Sequence, residues 1–161
     1  MASRELPTIL LIHGGGHGNP AYMTKFEAGL QASGFPTVGG TSPSNGGVVV
    51  ANRALQDDAV YWRKKIEDLL ELGKNIIIFA HSIGSFWASE AAHGLSLSDQ
   101  RKDGHRNGVL KLVFLGAYLP DEGDQVFTFY NGDRASLPTR AEFFEVRFSH
   151  LNIRRTKLVN L

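Results

Sequence analysis

The chain has 161 residues, 42% of them hydrophobic, and its 17 lysines and arginines nearly balance its 16 aspartates and glutamates. This composition predicts one globular domain with a real core, and the near-neutral charge gives no reason to expect a nucleic acid or a membrane surface as partner. The sequence contains no cysteine, which excludes disulfides, thiolate metal sites and cysteine nucleophiles. No apolar run approaches the roughly 20 residues of a membrane span, and the N-terminal run lacks the features of a signal peptide, so we expect a cytoplasmic protein.

Short apolar runs alternate with amphipathic segments along the chain. The predicted elements are strands at about 7–12, 35–38, 76–79 and 110–115, and helices ending at Gly34 and spanning about 53–72 and 83–94. The long helix at 53–72 carries one apolar stripe opposite a charged face, whereas residues 95–108 are predicted to be a polar connection. Strands and helices in alternation predict a parallel, doubly wound α/β sheet.

Ser82 stands at the junction of a buried strand and a helix. The apolar run before it stops at small residues, and Gly84 supplies the second glycine of the pattern G-x-S-x-G, while Ala80 replaces the first. A serine on such a tight strand-to-helix turn is typical of a nucleophile elbow. The alternative is a serine that caps the helix at an ordinary strand–helix junction.

A glycine-rich loop follows the first predicted strand at His13, Gly14, Gly15 and Gly16. Such a loop leaves room for a substrate to approach the backbone, and its N–H groups lie where an oxyanion would form. The N–H of Ile83, directly after the serine, would be the second donor. The loop and the elbow, each directly after an apolar strand, therefore favour the architecture of a serine hydrolase.

These motifs resemble the α/β-hydrolase fold family, and within it the branch of small esterases, plant methylesterases, hydroxynitrile lyases and related fungal hydrolases. The resemblance is carried by PTILLIHGGGH at 7–17, FPTV at 35–38, AHSIG at 80–84 and LVFLGAYLPDEG at 112–123. It covers roughly residues 6–130, so we expect residues 1–130 to be the N-terminal half of a hydrolase domain. Residues 131–161 are expected to form an atypical tail or partial cap, and the sheet to stop after the strand that follows the nucleophile helix.

The resemblance implies a serine hydrolase that acts on small carboxylic esters without a metal or organic cofactor. It assigns the nucleophile to Ser82 and the oxyanion hole to Gly15 and Ile83, with His13, Gly14 and Gly16 shaping the oxyanion loop. In this fold the acid and the catalytic histidine follow the serine in that order. His150 follows Ser82 with several acids between them, including Asp121 and Asp124, and it is the candidate base.

Two alternatives remain. The chain could be a catalytically incomplete hydrolase fragment that lacks the histidine and acid and serves as an interaction module, and an exposed sheet edge would allow it to form a homodimer. It could also be a nucleotide-binding domain, since Gly16-x-Gly18-x-x-Ala21 fits the dinucleotide fingerprint after a strand. However, Gly39-Gly40-Thr41 stands where that motif needs an acidic residue.

Overall fold

The computed structural model describes residues 5–15, 23–45 and 55–117. Its strands are β1 (Thr8–Ile12), β2 (Thr37–Val38), β3 (Ile76–His81) and β4 (Val109–Leu115). Its helices are α1 (Thr24–Ala32), α2 (Leu55–Glu71), α3 (Gly84–Ala92) and α4 (Leu97–Lys102), and a 3₁₀ turn covers Pro43–Asn45. None of the helices in these ranges is both long enough and apolar enough to cross a membrane. Strands and helices alternate as the sequence predicts.

The four strands form one parallel sheet in the order β2-β1-β3-β4. β1 lies inside the sheet, where Ile9 pairs with Thr37 of β2 and Thr8 pairs with Ile76 of β3. Because all strands run in the same direction, the loops after β1, β2 and β3 emerge at one edge of the sheet, where ligands bind in open α/β folds.

Helices cover both faces of this sheet, which confirms the doubly wound arrangement. The buried stripe of α2, Ala59, Trp62 and Ile66, lies on the same face as α3. That face of the sheet contributes Leu10, Ile12, Ile76, Ile78, Ala80 and Leu112. The opposite face contributes Ile9, Leu11, Ile77 and Phe79, which pack with Met23, Leu30 and Phe35 from α1 and its flanks.

The charged face of α2 is exposed, as its pattern predicts. Ion pairs one turn apart join Arg63 to Glu67 at 3.0 Å and Lys64 to Asp68 at 2.6 Å. The hydrogen bond and the charge of Asp68 raise the pKa of Lys64 above its ordinary value. Exposed ion pairs of this kind add little stability. The charged face of α2 is therefore a solvated surface rather than a functional site.

The helix α4 corrects the prediction of a polar connection at 95–108. Ser96 caps it, because its hydroxyl accepts the N–H of Asp99 at 3.1 Å. None of its six residues is buried, so it produces no apolar periodicity that could reveal it. The sequence signal that could have revealed α4 is its N-cap, Ser96 followed three residues later by an acid.

Candidate functional site

Ser82 occupies the sharp turn between β3 and α3 in a strained conformation. Its φ is 53°, and no other non-glycine residue of the described ranges has a positive φ. The left-handed region costs an ordinary residue about 1–2 kcal/mol, so the surroundings must enforce it. The backbone is held on both sides: the N–H of Ser82 donates to the carbonyl of Leu115 at 3.2 Å, and the N–H of Ser85 donates to the carbonyl of Ser82 at 3.1 Å.

Ser82 does not cap the helix that follows it. The N-cap position of α3 is Ile83, and no side chain makes a capping hydrogen bond there. The alternative of an ordinary capping serine therefore does not account for this residue, and the strained turn needs another reason.

The glycine-rich loop after β1 packs directly on this turn. A Cβ placed on Gly14 would lie 3.0 Å from both the Cβ of Ser82 and Nδ1 of His81, and one on Gly15 would lie 3.1 Å from Cγ2 of Ile83. Glycines at these positions let the two backbones approach more closely than side chains would allow. Gly16 lies outside the described residues.

Two backbone N–H groups lie beside the turn at Ser82, those of Gly15 and Ile83. Within the described residues, neither the N–H of Gly15 nor that of Ile83 donates a hydrogen bond to a carbonyl. The first N–H groups of a helix lack partners within it and carry partial positive charge.

His13 is fully buried below the glycine loop. Its Nε2 receives the backbone N–H of Ser42 at 2.9 Å, and its Nδ1 lies 2.7 Å from the carbonyl oxygen of Gly14. A backbone N–H can only donate, so Nε2 must be the unprotonated nitrogen and Nδ1 must carry the proton. Its ring packs roughly perpendicular to those of Trp62 and Trp87, with centroids 6.1 and 5.8 Å away.

Sequence reasoning missed the buried polar residues that support His13. Ser42 is fully buried and accepts a hydrogen bond from Nε1 of Trp62 at 2.8 Å. Asp58 is also fully buried, and its carboxylate accepts the backbone N–H of Ser44 at 2.8 Å. The available signal was the position of Asp58, one turn before Trp62 on the buried side of α2.

The described histidines do not include one placed as a base for Ser82. Both ring nitrogens of His13 are engaged, and His93 lies beyond the far end of α3, roughly 15 Å away at the rise of a helix. His105 comes shortly before Gly108, whose carbonyl accepts the N–H of Ile76 at the opposite end of the sheet. His81 lies beside Gly14, adjacent in sequence to Ser82. His17 and His150 lie outside the described residues.

Over residues 5–15, 23–45 and 55–117, no group of three or more acidic or histidine side chains could hold a metal ion. The site offers a hydroxyl on a strained turn, the backbone N–H of Gly15 in the glycine loop and the N–H of Ile83 at the N-terminus of α3. This arrangement suits attack by a hydroxyl on a carbonyl carbon.

Comparison with solved structures shows a similar fold. The chain is similar to an extracellular α/β-hydrolase from a Paenibacillus species, which is described as sharing structural and functional homology with tobacco salicylic acid binding protein 2. The TM-score is 0.55 and the identity is 17%, over 72% of this chain and 43% of that one. The fold is that of an α/β-hydrolase.

The chain spans less than half the length of that Paenibacillus protein. No family model and no curated protein sequence matches the chain. An identity of 17% shows the fold alone. The predicted branch within the α/β-hydrolases and the domain limits at residue 130 therefore stay predictions.

Proposed function

We propose that the protein is a serine hydrolase of small carboxylic esters with Ser82 as nucleophile. The observation that carries this proposal is the φ of 53° at Ser82, on a turn against which Gly14 packs so closely that a Cβ would lie 3.0 Å from that of the serine. A structure keeps a strained non-glycine residue where function needs it. A cap or a core serine would not require that backbone.

The chemistry follows from the donors around the serine. The Ser82 hydroxyl loses its proton to a base while Oγ bonds to the ester carbon, and the carbonyl electron pair moves onto oxygen. The N–H groups of Gly15 and Ile83 stabilise that oxyanion, an effect whose removal costs about 10²–10³ in rate in well-studied hydrolases. Collapse of the intermediate releases the alcohol, which takes the proton, and water then hydrolyses the acyl-serine.

The base is proposed to be His150, with an acid from the segment between it and Ser82, such as Asp121 or Asp124. These residues follow the serine in the order that the fold requires. They lie outside the described residues, so the proposal rests on sequence order. Neither a metal nor an organic cofactor is needed for these steps, and a cytoplasmic location remains the expectation.

A specific observation favours a second candidate, a hydrolase-fold chain that has lost its chemistry. No described histidine near Ser82 has a ring nitrogen that is shown to be available to the serine hydroxyl. Without a base, the oxyanion donors alone leave about 10³–10⁴-fold catalysis over water. Such a chain would serve as an interaction module.

We propose that the interaction surface is the edge of the sheet at β4. In the described part of the chain β4 has a neighbour on one side only, and it exposes 38% of Val113 and 47% of Leu115. A seven-residue apolar edge strand is a template for pairing with another chain. A second copy pairing through this edge would make a homodimer.

Labelling by a serine-directed fluorophosphonate, read by intact mass, separates the two candidates. We expect one adduct on the wild-type chain, none on Ser82→Ala, and an unchanged adduct on Ser89→Ala. Ser89 is the matched control, because its hydroxyl has no hydrogen-bond partner among the described residues and its removal leaves the contacts of the Ser82 turn in place. Labelling followed by loss in His150→Ala would assign the base. A folded wild-type chain that takes no label contradicts the hydrolase.

A further inference from the structure

The helix α2 holds the loop after β2 at two points. Nε1 of Trp62 donates to Oγ of Ser42 at 2.8 Å, and the Asp58 carboxylate accepts both the N–H of Ser44 at 2.8 Å and its hydroxyl at 2.5 Å. Asp58 and Trp62 are one helical turn apart, and both are fully buried. We call Asp58, Trp62, Ser42 and Ser44 the α2 clamp.

The clamp reaches the glycine loop through His13. The backbone N–H of Ser42, between the two points of the clamp, donates to Nε2 of His13 at 2.9 Å. This bond fixes the ring as the tautomer with its proton on Nδ1, which faces the Gly14 carbonyl at 2.7 Å. The orientation of that carbonyl is therefore set from α2.

The peptide unit between Gly14 and Gly15 links the orientation of the Gly14 carbonyl to that of the Gly15 N–H, one of the two proposed oxyanion donors. The peptide unit is planar and trans, so its C=O and N–H point in opposite directions. With the Gly14 carbonyl held toward His13, the Gly15 N–H points away from it. Gly15 also lies against Ile83, the other proposed donor, since a Cβ on Gly15 would be 3.1 Å from Cγ2 of Ile83.

We propose that Trp62 and Asp58 are positioning residues for the oxyanion hole, acting through Ser42 and His13, an inference that rests on the proposed hydrolase function. If the Ser42 N–H moved away, His13 could carry its proton on Nε2. Nδ1 would then present a lone pair to the Gly14 carbonyl oxygen, and that repulsion would turn the Gly14–Gly15 peptide. The Gly15 N–H would then no longer point at the oxyanion, although no residue that contacts the substrate had been substituted.

The chain supplies a matched pair of variants. Trp62→Phe and Trp87→Phe each remove a buried indole N–H, and in each case the indole ring packs roughly perpendicular to the His13 ring. Only the N–H of Trp62 belongs to the clamp, because Nε1 of Trp87 has no hydrogen-bond partner in the described part of the chain. Ser42→Ala removes the acceptor of the same hydrogen bond and leaves the backbone N–H of residue 42 in place.

Two readouts are measured on these variants: the ¹⁵N signals of the His13 ring, which report the tautomer, and the rate of labelling at Ser82. We expect the wild type and Trp87→Phe to show the Nδ1-protonated tautomer, and Trp62→Phe and Ser42→Ala to show a second tautomer. Labelling should slow by about tenfold in Trp62→Phe, part of the roughly 10²–10³ that loss of a whole oxyanion donor costs. The Trp62→Phe/Ser42→Ala double variant should be no slower than the worse single variant, because both remove one interaction.

The possible outcomes distinguish a failure of the clamp proposal from a failure of the proposed hydrolase function. A labelled enzyme in which Trp62→Phe and Trp87→Phe change the His13 signals and the labelling rate equally overturns the clamp and leaves the hydrolase standing. A wild-type chain that takes no label overturns the hydrolase, and with it the catalytic role of the clamp. Selective effects of Trp62→Phe on both readouts support both.

Discussion

The first turn of α3 touches the end of β1 at Gly84 and His13. A Cβ on Gly84 would lie 2.5 Å from the carbonyl oxygen of His13 and 3.2 Å from that of Ile12. No real Cβ approaches a backbone oxygen so closely, so this contact exists only because residue 84 is glycine. This contact holds the turn at Ser82 and the glycine loop against each other.

Gly84→Ala is expected to destabilise the protein by about 1–3 kcal/mol, as overpacking against rigid backbone does. The control is Gly29→Ala in α1, where a Cβ meets nothing within 4 Å. That change should stabilise by about 0.5–1 kcal/mol, because alanine suits a helix interior better than glycine. Urea unfolding measures both. Equal effects of the two substitutions would contradict the close contact.

Gly14→Ala should slow labelling of Ser82 far more than Gly15→Ala. A Cβ at residue 14 would meet the Cβ of Ser82 and the ring of His81, both at 3.0 Å, and would push the loop away from the serine. A shift near 1 Å in a catalytic geometry can cost on the order of 10²-fold. At Gly15 the nearest atom is a methyl group of Ile83 at 3.1 Å, which can move aside. Second-order labelling rates test this, and similar rates for the two variants would argue against it.

Ser82→Gly should be more stable than Ser82→Ala. Both remove the hydroxyl, but only glycine takes a φ of 53° without strain. The relief of about 1–2 kcal/mol, reduced by the greater freedom of glycine in the unfolded chain, leaves a gain of about 0.5–1 kcal/mol. Thermal unfolding of the two variants decides it. An alanine variant as stable as the glycine variant would mean that the turn relaxes without cost.

Leu115→Lys should weaken self-association through β4. A charge at this position, 47% exposed in the wild type, would lie in the proposed interface between two copies. Leu72→Lys is the control, since Leu72 is 71% exposed in the turn between α2 and the start of β3, at the opposite end of the sheet from Leu115, which pairs with His81 at the end of β3. Sedimentation velocity over a concentration series should show a dimer for the wild type and the control. A wild-type monomer at all concentrations would exclude pairing at this edge.

Ser96→Ala should destabilise the protein by about 1 kcal/mol, because α4 loses its N-cap. Ser89→Ala is expected to have the opposite sign. The Ser89 hydroxyl is buried with no hydrogen-bond partner among the described residues, and alanine is the better helix former in α3. Chemical denaturation of both variants measures the contrast. A loss in Ser89→Ala as large as that in Ser96→Ala would show that the cap is not the cause.

The sequence predicted the elements that bury apolar side chains. Trp62 and Ile66 recur at helical spacing and are fully buried, and the unbroken run of Ile76 and its neighbours forms an inner strand as expected. These features depend on local periodicity, which can be seen without a fold. Ala80 could depart from the glycine of the motif because its methyl group packs in the core on the α2 side of the sheet.

The supports of the candidate site could not be predicted in this way. Ser42 and Asp58 are polar residues whose burial depends on partners that lie elsewhere in the sequence. The hydrogen bond from Ser42 to His13 joins two loops that meet only at the carboxyl edge of the folded sheet. The position of Asp58 one turn before Trp62 is a local signal of its burial, but it indicates neither Ser44 as its partner nor the contact between Ser42 and His13.

The order of the strands has a consequence for how this protein acquires its shape. β1 pairs with β3, Thr8 with Ile76, so the ribosome must release α1, β2 and α2 before β1 obtains its second neighbour. Pairings between distant segments form slowly, because the chain must close a long loop before any contact stabilises it. Until then the four apolar residues of β1, Ile9 to Ile12, stay exposed on one edge, and the glycine loop has no elbow to pack against. Chaperone demand during synthesis should therefore be highest in the interval before His81 emerges.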